Sequence, residues 1–167
     1  MKQLLLIRHA KSSWADAGMD DFDRPLNERG KTDAPEMAKK LLRKQIVIDA
    51  FISSAAKRAQ KTCALFMKEF DVDKEKMIIK QELYLAPPEI FYKCIEEMND
   101  QFETIAVFAH NPGITEFANH LTNVRVDDMP TCSVYAINID TDSWNSFANA
   151  KKSFWFFEYP KKRNEDQ

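Results

Sequence analysis

Four side chains of this 167-residue chain have the types and the placement to act together on an anion. Arg8 and His9 are adjacent and directly follow the apolar run Leu4 to Ile7. Arg58 lies a few residues beyond a second apolar run, which ends in Ser53-Ser54. His110 follows a third run, Thr104 to Ala109, and opens the turn His110-Asn111-Pro112-Gly113. Guanidinium groups offer paired donors that match phosphoryl oxygens. One imidazole can attack phosphorus. A second can donate to an equatorial oxygen and offset charge as it builds. Backbone N–H groups opening a helix after Pro112-Gly113 would strengthen the same field. Taken singly, each residue has a plainer reading. A strand-end histidine is ordinarily a structural hydrogen-bonder, Arg8 could pair with an Asp of the following loop, and Arg58 could be a solvated helix residue. Asn111-Pro112-Gly113 could be only a turn. Their common placement at strand exits is what points to one shared site.

The elements that must position these groups can be read from periodicity. Residues 3–8 form a short buried strand, followed by a polar loop, Lys11 to Asp23, with four Asp and Gly18. Asn27 caps a helix running to about Lys44, which Pro35 should kink or divide. Its core stripe is expected to include Met37, Ala38, Leu41 and Leu42. A strand at 50–53 and a helix at 56–69 follow, the latter with Ala59, Cys63, Phe66 and Phe70 at helical spacing. Met77 to Lys80 reads as a third strand, and Pro87-Pro88 open a helix to about Met98. The strand at 104–109 precedes a helix carrying Phe117, Ala118 and Leu121. Strands are expected at 132–139 and 153–159. Strands alternating with helices indicate a three-layer α/β/α sandwich around a mostly parallel sheet. The closely spaced late strands suggest an antiparallel part. Open sheets of this kind bind ligands at the carboxyl ends of their strands. The expected division is one domain over 1–160 and a polar tail over 161–167.

Composition bounds the alternatives. Lys plus Arg number 24 and Asp plus Glu 26, a net charge of −2, which argues against a general nucleic-acid binder. Twelve Phe, four Tyr and three Trp exclude a wholly disordered chain. The apolar run after Met1-Lys2-Gln3 is too short for a signal-peptide core, and no stretch has the length to span a bilayer. A soluble, cytoplasmic protein with no membrane partner is expected. Cys63, Cys94 and Cys132 are scattered without a CxxC pair, so each reads as a small buried hydrophobe. His120 belongs to the end of the helix that follows His110. Three His without a carboxylate cluster, and no HExxH, argue against a metal site, and no cofactor is expected. Only three Gly and no GxGxxG after the first strand argue against a Rossmann-type nucleotide site.

The motifs resemble a known family. Leu6-Ile7-Arg8-His9-Ala10 is similar to the signature of the histidine phosphatase, or phosphoglycerate-mutase-like, superfamily. Arg24-Pro25-Leu26-Asn27-Glu28-Arg29-Gly30 resembles its second patch. The segment from Ser53 to Thr62, with Arg58, resembles the patch of the second arginine, and His110-Asn111-Pro112-Gly113 that of the second histidine. Ala10, where most relatives have Gly, and the small size resemble the short phosphohistidine phosphatase branch of the SixA type. The resemblance implies a phosphoglycerate-mutase-like fold and a metal-independent phosphatase whose first His is transiently phosphorylated. Carried over, His9 is the nucleophile. Arg8, Arg58 and His110, with Asn111, bind the phosphoryl group, and Arg24 and Ser12 support it. Glu82, in Gln81-Glu82-Leu83-Tyr84, is the nearest match to the acid that many relatives use. Lys11 and Trp14 are expected at the rim. Only 52 positions separate Arg58 from His110, which leaves little chain for a lid. An open pocket would admit a phosphorylated protein, phosphohistidine above all, with inorganic phosphate as product. Two alternatives stand beside this: a phosphatase of small phosphate esters or sugar phosphates, and a non-catalytic phosphate-recognising module.

Overall fold

The computed structural model describes residues 1–161, so the expected tail at 161–167 lies, apart from Lys161, outside the described residues. Its strands are β1 (Lys2–Arg8), β2 (Ala50–Ser54), β3 (Ile78–Lys80), β4 (Thr104–Ala109), β5 (Val134–Asp140) and β6 (Lys151–Glu158). Its α-helices are α1 (Glu28–Arg43), α2 (Lys57–Glu69), α3 (Pro88–Glu96) and α4 (Gly113–Leu121). The strands form one sheet in the order β3-β2-β4-β1-β5-β6. The first four in that order run parallel, whereas β5 is antiparallel to both β1 and β6. This is the three-layer architecture read from the sequence, with its antiparallel part where the late strands crowd together.

Successive side chains of a strand face opposite ways, and β1 is apolar on both faces. Leu4 and Leu6 join a core with Phe91 and Ile95 of α3 and Phe117 of α4. Leu5 and Ile7 join a second core with Met37 and Leu41 of α1 and Phe66 of α2. Helices therefore cover both faces, and a continuous apolar run is what such a central strand requires.

Local chemistry sets the helix ends. The Asn27 side chain accepts the Gly30 N–H at 2.9 Å, capping α1 as expected. Pro88 opens α3, where its missing N–H costs nothing. Division of α1 at Pro35 is corrected, and so is the place of Leu42 in its core stripe. The helix runs unbroken through Pro35. The lost bond and ring clash cost about 3 kcal/mol. Fully burying Met37 and Leu41 contributes roughly 1.5–3 kcal/mol each, enough to hold the helix on the sheet. Leu42 is not in the core stripe but 37% exposed, one residue past the buried Leu41 and so turned off that face.

Candidate active site

The register of the sheet brings the distant motifs together. Arg8 ends β1 opposite Ala109, the last residue of β4, and Ser53 of β2 lies opposite Phe108. The loops after β1, β2 and β4 thus leave the sheet side by side. The His9 backbone is pinned on both sides: its N–H donates to the Ala109 carbonyl at 3.1 Å, and its own carbonyl accepts the Cys132 N–H at 3.0 Å. The Ala10 N–H donates to Thr62 Oγ1 at 2.9 Å, and that hydroxyl donates to the Arg58 carbonyl at 2.7 Å. One buried threonine therefore ties the loop of His9 to the helix of Arg58. Glycine is needed where α1 meets this loop, since a Cβ at Gly30 would lie 2.2 Å from the Lys11 carbonyl oxygen.

These loops enclose a cleft of about 580 Å³ lined by Arg8, His9, Ser12, Arg58 and His110 among others. Size alone does not single it out. A groove of about 740 Å³ beside α2 is larger, but it presents Lys57, Lys61 and Lys74 and no histidine. In the cleft the two imidazoles stand 5.2 Å apart, centroid to centroid. His9 Nδ1 donates to the Ala10 carbonyl at 2.7 Å, so Nε2 keeps its lone pair. The Arg58 Nε–H donates to that Nε2 at 3.2 Å. His110 Nε2 lies 2.7 Å from Ser54 Oγ, and that hydroxyl also accepts the Ala56 N–H at 3.2 Å. A serine hydroxyl has one proton and two lone pairs, so while accepting from Ala56 it can donate to Nε2, and that assignment puts the His110 proton on Nδ1. Among the described residues that Nδ1, and likewise Arg8 Nε, is buried with no hydrogen-bond partner. Two unpartnered buried nitrogens on side chains of one cleft are unusual, because buried polar groups are almost always paired.

Burial, opposed by the bond to Ala10 and aided by Arg58 and Arg8, pushes His9 from 6.5 down to about 3. Burial, then His9 and Arg58, brings His110 to about 3 as well. Both rings are therefore neutral at pH 7, and His9 presents a nucleophilic nitrogen rather than a cation.

Arg8, His9, Arg58 and His110, read from the sequence as one set, share this cleft. Lys11, Ser12, Trp14 and Arg24 also line it. Arg24 donates to Ser12 Oγ at 2.5 Å and lies 3.7 Å over the exposed Trp14 ring. Two expectations change. Asn111 borders the cleft, but its amide is spent on Asp128 at 2.7 Å, on the Met129 carbonyl at 3.1 Å and on the Thr115 hydroxyl at 2.6 Å. It braces the loop beneath Arg8, whose Nη1 donates to the same Met129 carbonyl at 2.9 Å. Glu82 does not line the cleft. It is exposed, and its Oε1 lies 3.6 Å from Cys94 Sγ. The buried Leu83 anchors that turn, and Tyr84 instead reaches the site, edge-on to His110 at 5.4 Å.

Sequence reasoning missed Asp21, Tyr84 and Ser54. Asp21 Oδ2 accepts from Arg58 Nη2 at 3.0 Å and from the Tyr84 hydroxyl, and Oδ1 accepts from Arg24 Nη2 at 2.9 Å. Burial opposes it, but these bonds hold the Asp21 carboxyl well below the usual carboxylate range. Four Asp in one loop gave no signal to tell Asp21 from the rest. Among the described residues no cluster of His, Cys, Asp or Glu is placed to hold a metal ion.

A buried neutral imidazole between two arginines, at the carboxyl ends of parallel strands, defines the class: an enzyme acting on phosphoryl groups. The comparisons agree. The profile of the histidine phosphatase superfamily (branch 1) matches residues 4–84. An uncharacterised protein of Mycobacterium tuberculosis is 31% identical over 122 residues, covering 73% of each chain. An uncharacterised chloroplastic protein of Arabidopsis thaliana is 26% identical over 166 residues, 94% of this chain and 76% of its own. A solved structure of the protein histidine phosphatase SixA complexed with tungstate superposes with a TM-score of 0.78 at 18% identity, covering 93% and 95% of the two chains. The chain belongs to the histidine phosphatase superfamily, and it is a phosphatase with the SixA fold.

Proposed function

We propose that this phosphatase removes phosphoryl groups from phosphorylated proteins, phosphohistidine above all, through a covalent phosphohistidine on His9. The observation that carries the reading is the pair of unpartnered buried nitrogens, Arg8 Nε and His110 Nδ1, on side chains that line the cleft with the neutral His9. An oxyanion bound in the cleft would accept from Arg8 Nε and from His110 with its proton on Nδ1. In the reaction, Arg8, Arg58 and His110 hold the phosphoryl oxygens while His9 Nε2 attacks phosphorus in line. The bond from phosphorus to the leaving nitrogen breaks, and that nitrogen takes a proton from solvent. Water then attacks the phosphorus on His9, giving inorganic phosphate and restoring the imidazole. Neutral His9 is the form this needs, and a phosphoramidate needs no strong acid once its leaving nitrogen is protonated. That fits a cleft without Glu82.

A protein substrate is favoured by the rim. The floor residues His9, Arg58 and His110 are buried, while Trp14 and Leu85 at the edge are 76% and 54% exposed. Phe22, also exposed, packs edge-on against Tyr84 at 5.1 Å. Exposed apolar side chains around a charged cleft suit a macromolecular surface better than a sugar phosphate. A reducing compartment, the cytoplasm, suits the three buried free thiols. The test is incubation of the wild-type chain and His9→Ala with a phosphohistidine protein and with small phosphate esters, following phosphate release and acid-labile labelling. Wild type should label and should prefer the phosphohistidine protein; His9→Ala should do neither. Unchanged turnover in His9→Ala removes the mechanism, and a preference for the esters removes the protein substrate.

A further inference from the structure

We propose that Asp21 is an internal competitor for the phosphoryl position: its carboxylate and backbone carbonyl hold the Arg58 guanidinium until a phosphoryl group displaces them. The inference rests on the phosphatase reading of the same cleft. Each nitrogen of the Arg58 guanidinium already donates to a partner. Nε donates to His9 Nε2 at 3.2 Å, Nη1 to the Asp21 carbonyl at 2.6 Å and Nη2 to Asp21 Oδ2 at 3.0 Å. The first bond covers the lone pair with which His9 would attack. The other two use the paired donors that would grip a phosphoryl group. In this arrangement the nucleophile and its clamp are both engaged, and Asp21 holds them so.

The residue is built for exchange. It opens a 3-10 turn, Asp21–Asp23, and its side chain is 44% exposed, so it can leave the arginine for water. It is also tethered: Arg24 Nε and Nη2 donate to Oδ1 at 3.1 and 2.9 Å, and the Tyr84 hydroxyl donates to Oδ2. A carboxylate brings one negative charge and two oxygens to Arg58. A terminal phosphoryl group brings nearly two charges and three oxygens, and it would also offer an acceptor to the unpartnered Arg8 Nε. A terminal phosphoryl group therefore gains by displacing Asp21.

The experiment is calorimetric binding of inorganic phosphate and of dimethyl phosphate to the full wild-type chain, to Asp21→Asn and to Tyr84→Phe. Removing the competing charge should tighten phosphate about tenfold, as expected for one charge-assisted bond. It should tighten dimethyl phosphate in the same direction, because the cost of displacing Asp21 is common to both. Tyr84→Phe loosens the tether and leaves the loop sequence intact, so it should shift both affinities the same way by less. Phosphate affinity that is unchanged or weaker in both variants overturns the proposal, and Tyr84→Phe decides it should Asp21→Asn fail to fold. The two readings fail differently. A wild-type chain that binds phosphate but never labels on His9 removes the phosphatase mechanism. An Asp21→Asn chain that labels normally yet binds phosphate no tighter removes the competitor alone.

Discussion

The two cleft imidazoles tie the site to stability in a way that can be measured. His9 and His110 are pushed down to about 3 in the folded chain, chiefly by burial. In the unfolded chain a histidine titrates near 6.5. As the pH falls, protons therefore bind the unfolded state first. The stability these rings contribute is complete above about pH 6.5 and is lost progressively as the pH drops toward 3. Each loses about 1.4 kcal/mol per pH unit in that window, so from pH 6.5 to 5 each withdraws roughly 2 kcal/mol. Together that is roughly 4 kcal/mol, a large share of the 5–15 kcal/mol typical of a domain. The window lies above the range where unfolded carboxylates titrate, so the histidines dominate it. Urea denaturation at several pH values between 7.5 and 5 is the assay, applied to the wild-type chain, His9→Gln, His110→Gln and the double variant. The wild-type midpoint should fall steeply, each single variant should lose about half the slope, and the double variant should be nearly flat. Imidazole resonances in a parallel titration of the folded chain should hold neutral positions for both rings down to pH 5. A wild-type slope that persists in the double variant, or a folded-state ring that titrates near 6.5, would refute the reasoning.

Glu82→Gln should leave turnover of a phosphohistidine protein unchanged, since its carboxylate faces Cys94 rather than the cleft; a large loss in a steady-state assay would return it to the mechanism. Gly113→Ala should destabilise the chain by about 1–3 kcal/mol or more, because the new Cβ would lie 1.7 Å from the Ala86 carbonyl oxygen, backbone against backbone. A thermal melt checks this, and because Gly113 follows His110 so closely, phosphate release should fall with it.

The sequence by itself determined the layers and four of the side chains that line the cleft. Apolar runs of strand length, helical stripes between them and an Asn cap are local signals, and local signals survive in a linear text. Arg8, His9, Arg58 and His110 were legible for the same reason: each lies at or shortly after the carboxyl end of a strand, and a parallel sheet sends such positions to one edge. Tertiary structure decided the rest. Pro35 did not break α1, because burial of Met37 and Leu41 against the sheet outweighs one lost bond. Asn111, next to His110 in the chain, turned out to brace a loop, since Asp128, Met129 and Thr115 reach its amide from elsewhere. Glu82 and Tyr84 are two residues apart, and only the side on which Leu83 buries itself sends the tyrosine rather than the glutamate to the site. Asp21 could not be told from Asp16, Asp20 or Asp23, because what distinguishes it is the approach of Arg58, 37 positions away. Which carboxylate meets which guanidinium is fixed by packing between distant elements, and no local pattern encodes that distance.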